Sequence, residues 1–153
     1  MKRVMKNLLG AIAITMGLTL AAGAVHAMGH EKYILVSHAP DSDSWWNTIK
    51  NGLALAGKQM GVEVEYRNPP TGDLADMARI IEQAAASGPS GIITTLADPN
   101  ILAGPIRAAV DSGVDVIIMN SGTPEMARKV GALMYVGQPK YDAGYAAGLR
   151  AKS

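Results

Sequence analysis

The sequence predicts an α/β fold built on one doubly wound parallel sheet with helices on both faces. Three observations predict it. Five short runs rich in β-branched residues recur after residue 30. Between them lie segments whose apolar residues repeat at three- and four-residue spacing, the period of a helix with one buried stripe. Gly, Pro, Asn and Asp cluster at the junctions, where turns and caps need them. Strand–helix–strand alternation makes the strands parallel, joined by right-handed crossovers.

The elements follow in order. Tyr33–Ser37 (YILVS) is the first strand, and Trp46, Ile49, Leu53, Ala56 and Met60 mark the stripe of the first helix. Asp43 or Ser44 is placed to cap it, because a short side-chain oxygen can accept from a free N–H there. Val62–Arg67 (VEVEYR) is the second strand, followed by a helix with Leu74, Met77, Ala78, Ile81 and Ala85 on its stripe and Asp73 as its cap. Gly91–Thr95 (GIITT) is the third strand. The next helix carries Leu102, Ile106, Ala109 and Val110, with Asn100 as its expected cap. Pro105 lies inside that pattern and predicts a late start or a distorted turn. Val114–Met119 (VDVIIM) is the fourth strand, and its apolar character, like that of GIITT, predicts cover on both faces. A weak helix at Pro124–Val130 and a strand at Leu133–Val136 complete the pattern. Gly61, Gly88 and Gly113 each follow a helix, where a left-handed residue ends it.

Composition narrows the function. The 153 residues include 14 basic and 13 acidic side chains and are 48% apolar, enough to build a core. The near-zero charge gives no electrostatic basis for nucleic acid as a partner. Absence of cysteine excludes disulfides and thiolate chemistry.

The first 27 residues differ from the rest. Lys2, Arg3 and Lys6 precede an uncharged apolar run, Leu8–Val25, which ends in Val25-His26-Ala27. Basic start, apolar run and small residues at the cut are the three parts of a secretory signal peptide. A membrane anchor is the rival reading, since the run approaches the ~20 residues that span a bilayer. Its Gly and Thr content and the cleavage-type ending favour the signal peptide. Cleavage there removes three of the 14 basic residues and none of the 13 acidic ones, leaving a formal charge of −2. The expected location is the periplasm.

Ligands of open α/β sheets sit outside the carboxyl ends of the strands. The loops leaving the strands here are the rich ones: His38–Trp46, Asn68–Asp73, Ala97–Asn100 and Asn120–Thr123. Acids, amides, hydroxyls and both tryptophans collect on that edge. Carboxylates and amides can engage neighbouring hydroxyls of a polyol, and an indole face can cover the C–H face of a sugar ring. Capping by itself explains Asp43, Ser44, Asp73 and Asn100 and is the favoured reading of each. Trp46 lies on the helical stripe, where a core role competes with ligand contact; Trp45 lies off it and points to ligand contact. No Gly-x-Gly-x-x-Gly opening, P-loop or Gly-x-Ser-x-Gly elbow is present. His30, Glu31 and His38 lack the spacing of a metal site, and no cofactor or metal is expected.

The run Lys32–Gly52 (KYILVSHAPDSDSWWNTIKNG) resembles the first strand and helix of periplasmic sugar-binding proteins of the ribose/galactose-binding type, the substrate receptors of ABC importers. Val62–Arg67, DMARIIE leading to Gly91–Thr95, Asp98–Val110, VDVIIMNSGT and YVGQPKYDAGYAAG match that family in order. The resemblance implies two lobes closing on a sugar, a membrane permease as partner, a monomer and no chemistry on the ligand. It implies that the aromatic pair on the sugar corresponds to Trp45 and Trp46, and the polar residue before it to Asp43. Asn120 and Ser121 stand where the family often has Asp-Arg, so the charged bidentate clamp is absent and ribose itself is put in question. Gln138 falls near the first hinge crossing. The resemblance divides the chain into a signal peptide (1–27), a first ligand-binding lobe (28–138) and the start of a second, truncated lobe (139–153), which makes the sequence either a fragment of a longer gene or a half-length product. Two other functions stay open: a periplasmic sensor handing sugar to a chemoreceptor or kinase, and a secreted carbohydrate-active hydrolase using Asp41 or Asp43.

Overall fold

A computed structural model of the chain describes residues 31–152. The leader reading for residues 1–27, and His30 with it, lies outside the described residues. The elements are β1 (Lys32–Val36), α1 (Trp46–Met60), β2 (Glu63–Arg67), α2 (Leu74–Ala86), β3 (Gly91–Thr94), α3 (Pro99–Asp111), β4 (Asp115–Met119), α4 (Pro124–Lys129), β5 (Met134–Val136) and α5 (Lys140–Lys152). The strand order is β2-β1-β3-β4-β5, and every pairing is parallel. The α/β class and the doubly wound sheet read from the sequence are what the chain adopts.

The order of the strands decides which face each helix covers. The chain steps from β1 out to β2, then returns past β1 to β3 and continues to β4 and β5. Right-handed crossovers in opposite directions put α1 on one face and the later helices on the other. Alternation along the strands follows suit. Ile34, Val36, Ile92, Val116 and Ile118 pack with Met77 and Ile81 of α2 and Leu102 and Ile106 of α3 in the main core. Leu35, Ala39 and Trp46 form a smaller cluster on the α1 face, with Ile49, Leu53, Tyr66, Ile93 and Met119 against it. Side chains such as Ile81 and Ile106 are wholly buried, each contributing roughly 1.5–3 kcal/mol.

Four local expectations need correction. Asp98, not Asn100, caps α3: its Oδ1 accepts from the Asn100 N–H at 2.8 Å, and Pro99 occupies the first helical position, where no N–H is needed. The helix then runs through Pro105 without a late start. Gly104 precedes the proline, and with no Cβ it removes much of the clash that Pro imposes on its neighbour. At α1 the N-cap is Trp45, with no side-chain cap bond; Asp43 Oδ1 accepts from the Trp45 N–H at 3.1 Å, ahead of the first helical residue. Finally, the stripe of α1 is buried only at its start. Trp46 is 3% exposed, whereas Met60 is 76% exposed and Ala56 is exposed. An apolar groove of about 420 Å³ lies beside it, lined by Leu53, Gly57, Val64, Ile93, Ile117 and Leu133 among others. The α1 face of the sheet is therefore partly open, and Ile93 and Ile117 are half-buried rather than covered.

Asp73 caps α2 as expected, accepting from Asp76 N–H at 2.8 Å. Gly61, Gly88 and Gly113 all have positive φ. The sheet edge at β2 is charged: Lys32 Nζ lies 2.9 Å from both Glu63 and Glu65, and Arg67 Nε donates to Glu65 at 2.7 Å. Such a charged edge discourages pairing with another chain. Helix α5 buries none of its residues; Tyr141 and Tyr145 stack on its surface, 6.5 Å apart and 9° from parallel. Among the described residues no helix is long and apolar enough to cross a membrane.

Candidate functional site

The two faces diverge between β1 and β3, because the chain after β1 turns to one face and the chain after β3 to the other. That divergence is the switch point of the sheet, the place outside the carboxyl ends where ligands of open α/β sheets bind. The loop after β1 borders it and is tied down from several sides. Asn68 Nδ2 donates to Ala39 O and to Asp41 Oδ1, both at 2.9 Å. The Asp41 N–H donates to Pro70 O at 3.0 Å. Gly72, with φ +80°, lets the loop after β2 pass close to Pro40, where a Cβ would meet Pro40 Cδ at 3.3 Å. Asp41 is thus a structural partner of Asn68, and the loop that presents the tryptophans is braced by the loop after β2.

The tryptophans divide the work. Trp46 is the buried one: its ring packs in the α1-face cluster with Leu35 and Ala39. Around it stand the His38 ring at 5.7 Å and 87°, the Tyr66 ring at 6.3 Å and the Trp45 ring at 5.3 Å and 78°. Edge-to-face contacts of this kind are favourable because positive ring edges meet negative faces. Trp45 is 54% exposed, an indole held in place by its neighbour but open to solvent. Asp43 is exposed, and its carboxylate spends one oxygen on the Trp45 N–H.

Asn120 and Ser121 close the end of β4. Asn120 is the only non-glycine residue with positive φ among the described residues, at +60°. Asn tolerates that conformation better than most residues. Its N–H donates to Val136 O, its carbonyl accepts from the Tyr135 hydroxyl at 3.0 Å, and its Oδ1 accepts from Ser121 Oγ at 3.1 Å. The backbone of Ser121 accepts from the Leu96 N–H at 2.9 Å, fastening the end of β4 to that of β3. Asp43, Trp45 and Trp46 therefore form one group after β1 and Asn120 and Ser121 a second after β4. With β3 between them, the two strands are about 10 Å apart. Gln138 is exposed just beyond β5.

His38, set aside above as a metal ligand, and Thr95, which the loop inventory did not include, meet at the same carboxyl edge. Thr95, fully buried at the end of β3, sits 2.9 Å from His38 Nδ1 through its Oγ1. Burial pushes the His38 imidazole below its ordinary pKa, Lys140 adds to that, and Asp43 opposes it. Ser37 Oγ and the Tyr66 hydroxyl are 2.6 Å apart. Lys50 Nζ lies 4.7 Å above the Tyr66 ring. Burial raises the Tyr66 pKa. The signal for His38 and Thr95 was available in part, since both end strands that a 2-1-3 order makes neighbours. Among the described residues no group of three His, Cys, Asp or Glu could hold a metal ion.

Residues 33–152 match the model of the periplasmic binding protein domain. The chain belongs to that family. Its fold is that of a carbohydrate transporter protein of Acidothermus cellulolyticus seen in complex with myo-inositol, at 34% identity and a TM-score of 0.75, over 80% of this chain and 42% of that one. A sugar-binding protein of a sugar ABC transporter from Bacillus halodurans matches at 30% identity and 0.71, over 79% and 40%. GanP, a glucose-galactose binding protein from Geobacillus stearothermophilus, matches at 28% and 0.70, over 79% and 41%. The chain thus spans less than half the length of these structural relatives. Among curated proteins, 74 residues are 32% identical to F-box/SPRY domain-containing protein 1 of Caenorhabditis elegans, covering 48% of this chain and 21% of that protein; so short a stretch carries no function across.

Proposed function

We propose that this chain is the first lobe of a periplasmic solute-binding protein that captures a sugar or sugar alcohol and presents it to the membrane permease of an ABC importer. The observation that carries the reading is Trp45: an indole more than half exposed, braced edge-on by a buried second indole, at the switch point of a doubly wound sheet. An exposed apolar face of this size at a sheet edge whose loops carry hydroxyls, amides and a carboxylate suits a ring with one C–H face and several hydroxyls. Asp43, Asn120, Ser121 and Gln138 supply the polar contacts to those hydroxyls. The identity to the myo-inositol and sugar-transport relatives supports the ligand class. Residues 1–27 act as a cleaved export signal, residues 28–138 form the lobe and residues 139–153 begin a second one; the protein works as a monomer and performs no reaction on its ligand.

The test is direct. Titration of the protein with myo-inositol and a panel of pentoses, hexoses and linear polyols should change tryptophan fluorescence, with calorimetry giving the affinity. No response to any of them refutes sugar capture. A second reading has one observation in its favour: the relative XylFII has been seen in complex with a second protein, LytSN. Under it, the loaded protein docks on a sensor instead of a permease, and a pulldown from membranes with and without the bound polyol separates the two.

A further inference from the structure

We infer that His38 is a further ligand-contact residue, held by Thr95 as the neutral tautomer with its proton on Nε2, so that the ring donates Nε2–H to a ligand hydroxyl. The inference rests on the sugar-capture reading for the ligand and on hydrogen-bond accounting for the tautomer.

The Thr95 side chain is fully buried. A hydroxyl has one proton to give and two lone pairs to receive. Thr95 Oγ1 already accepts from the His38 backbone N–H at 3.2 Å. Its remaining neighbour among the described residues is His38 Nδ1, at 2.9 Å. If Nδ1 carried a proton, Oγ1 would accept twice and its own proton would be stranded in the interior, the costly outcome for a buried donor. If Nδ1 is bare, the hydroxyl donates to it and every group is satisfied. The neutral ring then carries its proton on Nε2, and Nε2 has no hydrogen-bond partner among the described residues.

Position makes that donor useful. His38 and Thr95 follow β1 and β3, the two strands that flank the switch point. The ring is half-buried, fixed at one end by Thr95 and across its plane by the edge-to-face contact with Trp46. The groups facing it are Trp46 from α1, Thr95 after β3, Lys140 at the start of α5 and Asp43 in its own loop. Burial and Lys140 disfavour a second proton on the ring and Asp43 favours it, the balance lying toward the neutral form. The His38 ring and the exposed Trp45 indole flank the buried Trp46 ring, at 5.7 Å and 5.3 Å from it, so a neutral Nε2–H donor there complements a hydroxyl of a ligand whose carbon skeleton lies on Trp45.

The experiment uses the full-length protein with ¹⁵N-labelled histidine, and myo-inositol and the polyol panel as probes. The His38 Nδ1 resonance should be that of an unprotonated ring nitrogen at neutral pH, and Thr95→Val should shift the tautomer population whereas Thr95→Ser should restore it. His38→Phe keeps the ring but loses the donor, and should weaken binding about 3- to 10-fold, the worth of one neutral hydrogen bond. His38→Gln, with an amide oxygen for Thr95 and an N–H for the ligand, should bind within about twofold of the wild type. A protonated Nδ1 in the resting protein overturns the tautomer, and a Phe variant that binds as tightly as the wild type overturns the ligand contact. A wild type that binds no member of the panel removes sugar capture and the contact together, while the tautomer still stands or falls on its own spectrum.

Discussion

Replacing each tryptophan separately by Ala should break two different properties. Trp46 is 3% exposed, so truncation returns most of the roughly 250 Å² that an indole buries; at ~25 cal/mol per Å² the upper bound is ~6 kcal/mol. Aromatic-to-Ala changes in cores cost ~3–5 kcal/mol, and about 4 is expected here. Trp45 is 54% exposed, so its removal should cost about half as much stability, ~2 kcal/mol. Its effect should lie in binding. The open part of that indole is ~135 Å²; a sugar covering half of it buries ~70 Å², worth ~1.7 kcal/mol or about 20-fold in Kd. Chemical denaturation of the two variants gives the stabilities. Isothermal calorimetry with myo-inositol, at a temperature where both are folded, gives the affinities. Trp45→Ala binding within threefold of the wild type would refute the stacking argument. A larger stability loss at Trp45 than at Trp46 would refute the division into a core indole and an exposed one.

Three further outcomes are expected. Gly57→Ala should lower stability by ~1–3 kcal/mol despite alanine's better helix propensity, because the new Cβ would lie 2.7 Å from Val64 Cγ2; a denaturation midpoint at or above that of the wild type would contradict this. Asn120→Ala should cost about 1 kcal/mol for holding a Cβ residue at φ +60°, whereas Asn120→Gly should be nearly neutral in stability but weaken sugar binding through loss of the amide; equal stabilities of the two variants would contradict it. Glu65 has its pKa lowered from 4.5 to about 2 by Arg67 and then Lys32. Because the folded value lies below the unfolded one, its contribution is complete above pH 4.5 and is lost as the pH falls toward 2. The pair is partly exposed and screened, so the effect is ~1 kcal/mol or less; urea midpoints followed through that range should lose this part of their pH dependence in Glu65→Gln, and an unchanged slope would exclude it.

Much of this molecule is legible in its residues. The runs of β1, β3 and β4 and the stripes of α2 and α3 lie where local pattern and burial agree, since Ile34, Val36, Ile92, Val116 and Ile118 meet Met77, Ile81, Leu102 and Ile106 in the main core. Sequence and structure part where a local pattern competes with something the chain does not state. Asn100 and Asp98 are equally good caps by type, and only the backbone geometry around Pro99 selects Asp98. Pro105 reads as a breaker, yet Gly104 and the packing of Leu102, Ile106 and Ala109 carry α3 through it. Met60 and Ala56 continue the stripe of α1 but face an open groove, because periodicity reports what a helix could bury and not what is there to cover it.

The site divides in the same way. The sequence by itself determined that polar loops and two adjacent tryptophans gather at the carboxyl edge, because that follows from alternation and the parallel sheet alone. It also carried the family through the ordered set of motifs. Which tryptophan packs in the core and which stands open to solvent required the tertiary structure, since a one-residue step along a helix turns a side chain by about 100° between core and solvent. So did the meeting of His38 with Thr95. Fifty-seven residues separate them in the chain, and the contact exists only because the crossovers bring β3 back beside β1.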